Sequence, residues 1–304
     1  MSKLFKAFMF KLTKDLTFKI VLIVGTVLAV ATAIIFLIID RTVGAELSPP
    51  GEQFRFCSGQ SMLLFSLSPA QNFGIAIPIN LAIFVVLEFT QGTIRNKVIV
   101  GHSKFKIYLS TFLSSLIFAF SIMLVYVGLC FILGAIIGGF NPDALAFSSS
   151  GIAYINKDFL VRIVSVTLFS YFAIVSFTTF IATLFRSIGP CIPVIVVVIL
   201  SLSTLSIFTT TPLFIMDGSE DTALYEAMTS FSKSFNPLHA ACGYEMDYKE
   251  TLVFVPEIND YVTDYEAYFV IKDNVFLYSF INNMYYGIVF FVVGAIAFCK
   301  RDIK

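Results

Sequence analysis

From Ile107 to Ile137 the chain reads IYLSTFLSSLIFAFSIMLVYVGLCFILGAII, an apolar run without one charged residue. A helix crosses the ~30 Å hydrocarbon core of a bilayer with about 20 apolar residues, because lipid gives its backbone no hydrogen-bond partners. This run is long enough to do so. Outward from it, five more stretches have the same character: Ile20 to Ile39, Phe73 to Phe89, Leu160 to Leu184, Ile192 to about Ile215, and Phe276 to Phe298. The second is short and carries Pro78, and the fifth opens with Pro190 and Pro193 and closes at Pro212. Proline removes a backbone donor, so both are expected to be kinked or partly re-entrant. The first stretch is too long for a signal-peptide core and lacks a cleavage site after it, so it reads as retained.

Composition agrees with the runs. Hydrophobic residues make up 58% of the 304, aromatic residues 16% and charged residues 13%. A soluble domain carries roughly 25% charged residues, so this chain has too few to cover a water-facing surface. Disordered, collagen-like and disulfide-scaffold classes are excluded as well. The expected fold is an all-α polytopic membrane protein with six transmembrane helices.

The formal net charge of zero conceals an asymmetry. Six crossings leave both termini on one side. That side collects thirteen of the basic residues, among them Lys3, Lys6, Lys11, Lys14, Lys19, Arg95, Lys97, Lys104, Lys106, Arg186, Lys300, Arg301 and Lys304, against Asp15, Glu88 and Asp302. The other side holds seven bases and the remaining acids. Loops rich in Lys and Arg stay in the cytoplasm, so the expectation is a multi-pass protein of the cell (plasma) membrane with cytoplasmic N- and C-termini. Nothing at the level of whole-chain charge points to nucleic acid.

The chain divides into an N-terminal segment, 1–19, and a single six-span domain, 20–304. In the first, Leu4, Phe5, Phe8, Met9, Leu12 and Leu16 fall on one side of a helical wheel and Lys3, Lys6, Lys11 and Lys14 on the other. Such a segment is either an amphipathic helix in the membrane interface, its lysines toward anionic headgroups, or a basic flank that fixes orientation. The outer segment, 216–275, is long for a connector and rich in tyrosine and acids. Helical spacing at Leu224, Ala227, Met228 and Phe231 predicts a helix over Asp221 to Phe235, and Tyr261, Tyr265, Tyr268 and Phe269 predict another over Asp260 to Val270. Gly134 and Gly138 form a small-xxx-small step that marks either close packing within the chain or a subunit contact.

Sites for chemistry are sparse. The two histidines, His102 and His239, fall on opposite sides, and there is no HExxH, no paired intramembrane aspartate and no GxxxxGK[ST] phosphate loop. No catalytic or metal site is therefore expected, and ion coupling is disfavoured because Glu88 and Arg162, the only ionisable groups near spans, sit at their ends. Cys57 and Cys242 lie in outer loops. They are either a disulfide tying the first loop to the third or two free thiols.

Between the second and third spans stand Leu87-Glu88-Phe89-Thr90-Gln91-Gly92-Thr93-Ile94-Arg95-Asn96-Lys97, then Val98 to Val100 and Gly101-His102-Ser103-Lys104. A carboxylate at a span's inner end, a Gly-Thr turn, a short basic amphipathic helix and Gly-x-Ser-Lys before the next span resemble the type-2 ABC-transporter permease family. The six-span plan, the N-terminal interface helix and the long outer segment before the last span are similar over the whole chain. The resemblance implies that the cytoplasmic loop 90–106 carries a coupling helix seated on a separate cytoplasmic ABC ATPase. Glu88, Gly92, Thr93, Ile94, Arg95, Lys97, Val98, Gly101, Ser103 and Lys104 would be the coupling residues. Arg186 to Pro190 would be a smaller second contact. ATP and Mg would act through the partner ATPase, with no cofactor bound by this chain, which would not itself be an enzyme. A second permease protomer, identical or not, would complete a path for a hydrophobic or amphipathic cargo, a peptide or antibiotic first. A plain positive-inside loop is the competing reading of the same residues. A non-transporting sensor or assembly component, binding a partner through the outer segment, is the competing function, with a lipid-acting membrane enzyme behind it.

Overall fold

The structure is a computed structural model that describes residues 2–42, 55–67, 76–141, 145–148, 151–154, 157–185, 187–210, 236, 238, 244–255, 260–271 and 273–301. Nine helices are present among them: α1 (Ser2–Lys14), α2 (Leu16–Thr42), α3 (Gly59–Ser66), α4 (Ala76–Thr90), α5 (Thr93–Ile99), α6 (Lys104–Gly138), α7 (Lys157–Leu184), α8 (Ile188–Thr210) and α9 (Asp273–Lys300). Five of them, α2, α6, α7, α8 and α9, are long and apolar enough to cross a membrane. The bent pair α4 and α5, turned through 52° at a short break, passes the same test when its two helices are taken together.

Small side chains let the spans approach. On α2 the buried positions Val21, Gly25, Ala29 and Ala33 recur every fourth residue, which places them on one face. Along α6, Gly134 and Gly138 meet the chain around α3. A Cβ on Gly134 would lie 2.6 Å from the Ser58 carbonyl oxygen, and one on Gly138 would run into the carbonyl of Cys57. The small-xxx-small step thus serves packing within the chain. At the same end of the bundle Asp40 accepts hydrogen bonds from the backbone N–H groups of Phe56 (2.5 Å) and Cys57 (2.8 Å), tying the end of α2 to the start of α3. Thr167 of α7 donates to the Leu67 carbonyl (2.9 Å) just past α3.

The long spans begin and end within a few residues of the apolar runs, with one shift. Helix α8 starts at Ile188, ahead of Pro190, and accommodates Pro193 in its interior. Proline is tolerated in a first turn, where its missing N–H would have no partner. The N-terminal helix stops at Lys14, short of the expected boundary at 19, because the chain re-enters α2 immediately after Asp15.

The outer segment corrects an expectation. Asp260–Ile271 is a strand, β4, and pairs antiparallel with β3 (Tyr244–Val255) from Tyr244 opposite Ile271 to Val255 opposite Asp260. A four-residue step such as Tyr261 to Tyr265 fits the helical period and also the two-residue period of a strand, so it did not discriminate between them. A smaller hairpin, β1 (Leu145–Ser148) and β2 (Gly151–Tyr154), precedes α7. Among the described residues the all-α expectation therefore holds for the long apolar helices and for α3 and α5, and fails at the two hairpins. The helix expected over Asp221 to Phe235 lies outside the described residues.

Candidate coupling site

Two residues past the end of α4 comes Gly92, the N-cap of α5, whose φ of 68° is left-handed. A Cβ there would meet nothing within 4 Å, so the glycine is required by its backbone angle and not by space. Its N–H donates to the Phe89 carbonyl (3.1 Å), closing α4, while its own carbonyl accepts from Asn96 N–H (3.0 Å), opening α5. Helix α5 closes on Gly101, φ 93°. The His102 N–H donates to the Lys97 carbonyl (3.2 Å) and the Gly101 N–H to the Val98 carbonyl (3.0 Å), the paired bonds of a Schellman cap. Ser103 then caps α6, its hydroxyl accepting from Lys106 N–H at 3.4 Å. Two glycines and a serine thus set the span–turn–helix–turn–span path.

Glu88 stands one turn before the break and is fully buried. Its carboxylate accepts from Lys11 of α1 on Oε1 and from Lys97 of α5 on Oε2, the latter at 2.5 Å. The Thr93 hydroxyl lies 2.8 Å from the Glu88 carbonyl oxygen and 2.9 Å from Oε2, sharing its proton between them. A buried carboxylate costs several kcal/mol unless paired and hydrogen-bonded, and here three donors on two neighbouring helices satisfy it. Lys11 also lies over the Phe84 ring, 5.6 Å from its centroid. One side chain therefore fastens α4, α5 and α1 together.

The same end of the bundle is joined to the last span. Lys104 donates to the carbonyls of Cys299 (3.1 Å) and Arg301 (2.7 Å), capping the C-terminus of α9 with a cation. The Arg301 guanidinium donates to the Thr183 carbonyl at the end of α7 and sits 4.8 Å from the centroid of the Phe89 ring. Below α5, Ile94 is buried in a cluster with Ile107, Tyr108, Ala295 and Phe298, and Phe89 and Val98 pack against it. The four-residue step from Ile94 to Val98 puts both on the inward face of α5.

What α5 leaves outside is also defined. Ile99 and Val100 are 71% and 75% exposed, and Arg95 and Asn96 stand beside them. Val98 packs inward against the cluster below α5, so the exposed apolar side chains here are Ile99 and Val100. Two large aliphatic side chains at the tip of a basic loop remain.

Of the sequence-predicted residues, the structure brings Glu88, Thr93 and Lys97 into direct contact, uses Gly92 and Gly101 as turns, buries Ile94 and Val98, leaves Arg95 exposed, and turns Ser103 and Lys104 toward α6 and α9. Lys11, expected to face headgroups with Lys3, Lys6 and Lys14, points instead into the bundle at Glu88; Lys6 and Lys14 are exposed. Arg186 and Cys242 lie outside the described residues, so the second contact falls there too, and of the expected Cys57–Cys242 pair only Cys57 is described. Cys57 is a buried free thiol, and burial beside Asp40 pushes its pKa up to about 11. Sequence reasoning missed the roles of Lys11 and Arg301, whose partners lie far away along the chain.

Comparison with protein-family models, with characterised proteins and with solved structures finds no match to this chain.

Proposed function

We propose that the chain is the membrane-spanning permease subunit of an ATP-driven ABC exporter, with the hydrolysis of ATP, and its Mg, in a separate cytoplasmic subunit. In this reading the bent pair α4–α5 supplies the second of six spans, both termini are cytoplasmic in the plasma membrane, and two protomers enclose the path. The cargo is hydrophobic or amphipathic, a peptide or antibiotic first.

The observation that carries the reading is the buried Glu88 with its three donors. A helix hung on a glycine hinge would swing without moving anything else. Here Thr93 and Lys97 fasten α5 to the end of α4, and Lys11 adds α1, so a push on the loop is passed to the spans instead of being absorbed at Gly92. Ile99 and Val100 are the kind of exposed apolar anchor that a protein groove covers, and Arg95 beside them would fix its orientation.

The test is co-expression of the chain with a candidate ABC ATPase followed by purification in detergent. The intact chain is expected to retain the ATPase, and Ile99→Asp with Val100→Asp to release it while leaving the helical content unchanged. Equal retention by both would remove the loop as the docking point. Retention of some other protein through β3 and β4 would favour a sensor or assembly role.

A further inference from the structure

On the N-terminal side of the bundle, α6 and α9 leave an apolar groove of about 460 Å³ lined by Phe105, Phe291, Val292, Ala295, Ile296 and Cys299, with Lys300 at its mouth. The lining faces outward: Phe105, Val292 and Ile296 are each about half exposed. From Val292 to Lys300 the groove follows α9 for about 12 Å at 1.5 Å per residue, close to the depth of one hydrocarbon leaflet, about 15 Å.

Among the described residues the charged group lining the groove is Lys300, and Lys106 follows the lining residue Phe105 directly along α6. Lys300 and Lys106 are exposed, and neither takes part in an ion pair among the described residues. Lys104 is already occupied by the carbonyls of Cys299 and Arg301, so among the described residues near the ends of α6 and α9 the exposed cations are Lys300 and Lys106.

We propose that this groove is a binding site for one anionic phospholipid of the leaflet on the N-terminal side. An acyl chain lies along Phe291, Ala295 and Cys299, and the phosphate sits between the ammonium groups of Lys300 and Lys106. Its volume is that of a pocket for a molecule of a few hundred daltons, roughly 300–1,000 Å³, which suits one chain and excludes a helix. The site is independent of any ATPase. It holds whether or not the chain is a transporter.

Cys299 makes the occupancy measurable, because it is a half-buried free thiol in the wall of the groove, whereas Cys57, Cys130 and Cys191 are buried. The full chain is reconstituted into vesicles of phosphatidylcholine alone or with phosphatidylglycerol, labelled with a lipid-soluble maleimide, and the Cys299 adduct is read by peptide mapping. Native mass spectrometry on the same preparations reports retained lipid. Phosphatidylglycerol is expected to slow Cys299 labelling and to be retained as a single molecule. Each lysine near an anionic surface contributes roughly fivefold in affinity, so Lys300→Ala with Lys106→Ala is expected to weaken retention roughly thirtyfold. Val292→Trp, which fills the groove and leaves both lysines in place, is expected to abolish the protection. Equal labelling in both vesicle types, or unchanged retention in both variants, would overturn the site. Protection of Cys299 in lipid-free detergent, tracking dimer concentration, would assign the groove to a second copy instead and also overturn it.

Discussion

Removing the Glu88 carboxylate is the most informative single change. Glu88→Ala strands the Lys11 and Lys97 ammonium groups beside Phe84 and the α4 wall, and breaking a buried ion pair by deleting one partner costs about 3–5 kcal/mol. Two features place the value at the lower end. The Lys11 and Lys97 side chains keep 29% and 19% of their exposure, so each ammonium can turn toward water or headgroups. Thr93 also keeps the Glu88 backbone carbonyl as an acceptor. The expected loss is therefore about 3 kcal/mol for Glu88→Ala, and about 2 kcal/mol for Glu88→Gln, whose amide oxygen still accepts from Thr93. The chain has no tryptophan, so unfolding is best followed by circular dichroism at the helical minimum, in one detergent for all variants. At about 2–4 °C per kcal/mol, the midpoint for Glu88→Ala falls by roughly 6–12 °C. In a double-mutant cycle with Lys97→Ala the pair should fall short of additivity by about 1–3 kcal/mol. A Glu88→Ala midpoint within about 2 °C of the parent (less than about 1 kcal/mol), together with additive losses, would refute the reasoning and mean that the carboxylate is solvated.

Further expectations follow from other places in the fold. Gly138→Ala drives a Cβ into the Cys57 carbonyl and is expected to cost about 1–3 kcal/mol, whereas Gly128→Ala, with nothing within 4 Å of its Cβ, should be neutral or slightly stabilising in the same unfolding assay. Raising the Cys57 thiol from 9.0 to about 11 makes the thiolate roughly a hundredfold rarer at neutral pH, so maleimide labelling of Cys57 should be slow in the folded chain. The sign is that of a group held neutral: its rate should rise about tenfold per pH unit until the pH nears 11, and unfolding should restore ordinary reactivity at neutral pH. Arg301→Ala loses the bond to the Thr183 carbonyl and the contact with Phe89, and is expected to lower stability by about 1–2 kcal/mol, read as a midpoint shift.

Much of the membrane architecture was legible because a lipid-facing helix must be apolar along its whole length. The run from Ile107 to Ile137 announces α6 by itself. The weaker places are those where two physical rules agree on one pattern. Tyr261 and Tyr265 satisfy both helical and strand spacing, and only pairing with Tyr244–Val255 decides for the strand. The turn residues of the candidate site were equally readable: Gly92 and Gly101 sit where backbone angles demand them. The contacts of Glu88 were half readable. Thr93 and Lys97 are close in sequence and lie on the near side of a short helix, so a cation and a hydroxyl within reach could be anticipated. Lys11 could not, because its wheel position marks it as outward-facing, and only the packing of α1 against the bundle turns it toward a carboxylate. The same holds for Lys104 and Arg301, which find carbonyls at the ends of α9 and α7.

In the proposed function α5 receives force from an ATPase and Glu88 passes it to the spans. The direct measurement is ATP hydrolysis by a candidate ABC ATPase co-reconstituted with the chain in vesicles, with and without cargo peptide, for the parent and Glu88→Gln. Glu88→Gln is expected still to bind the ATPase, since Ile99, Val100 and Arg95 are untouched, while cargo no longer stimulates hydrolysis and transport stops. Cargo-stimulated hydrolysis and transport at parental levels in Glu88→Gln, or hydrolysis by the ATPase that is indifferent to the chain's presence, would contradict it.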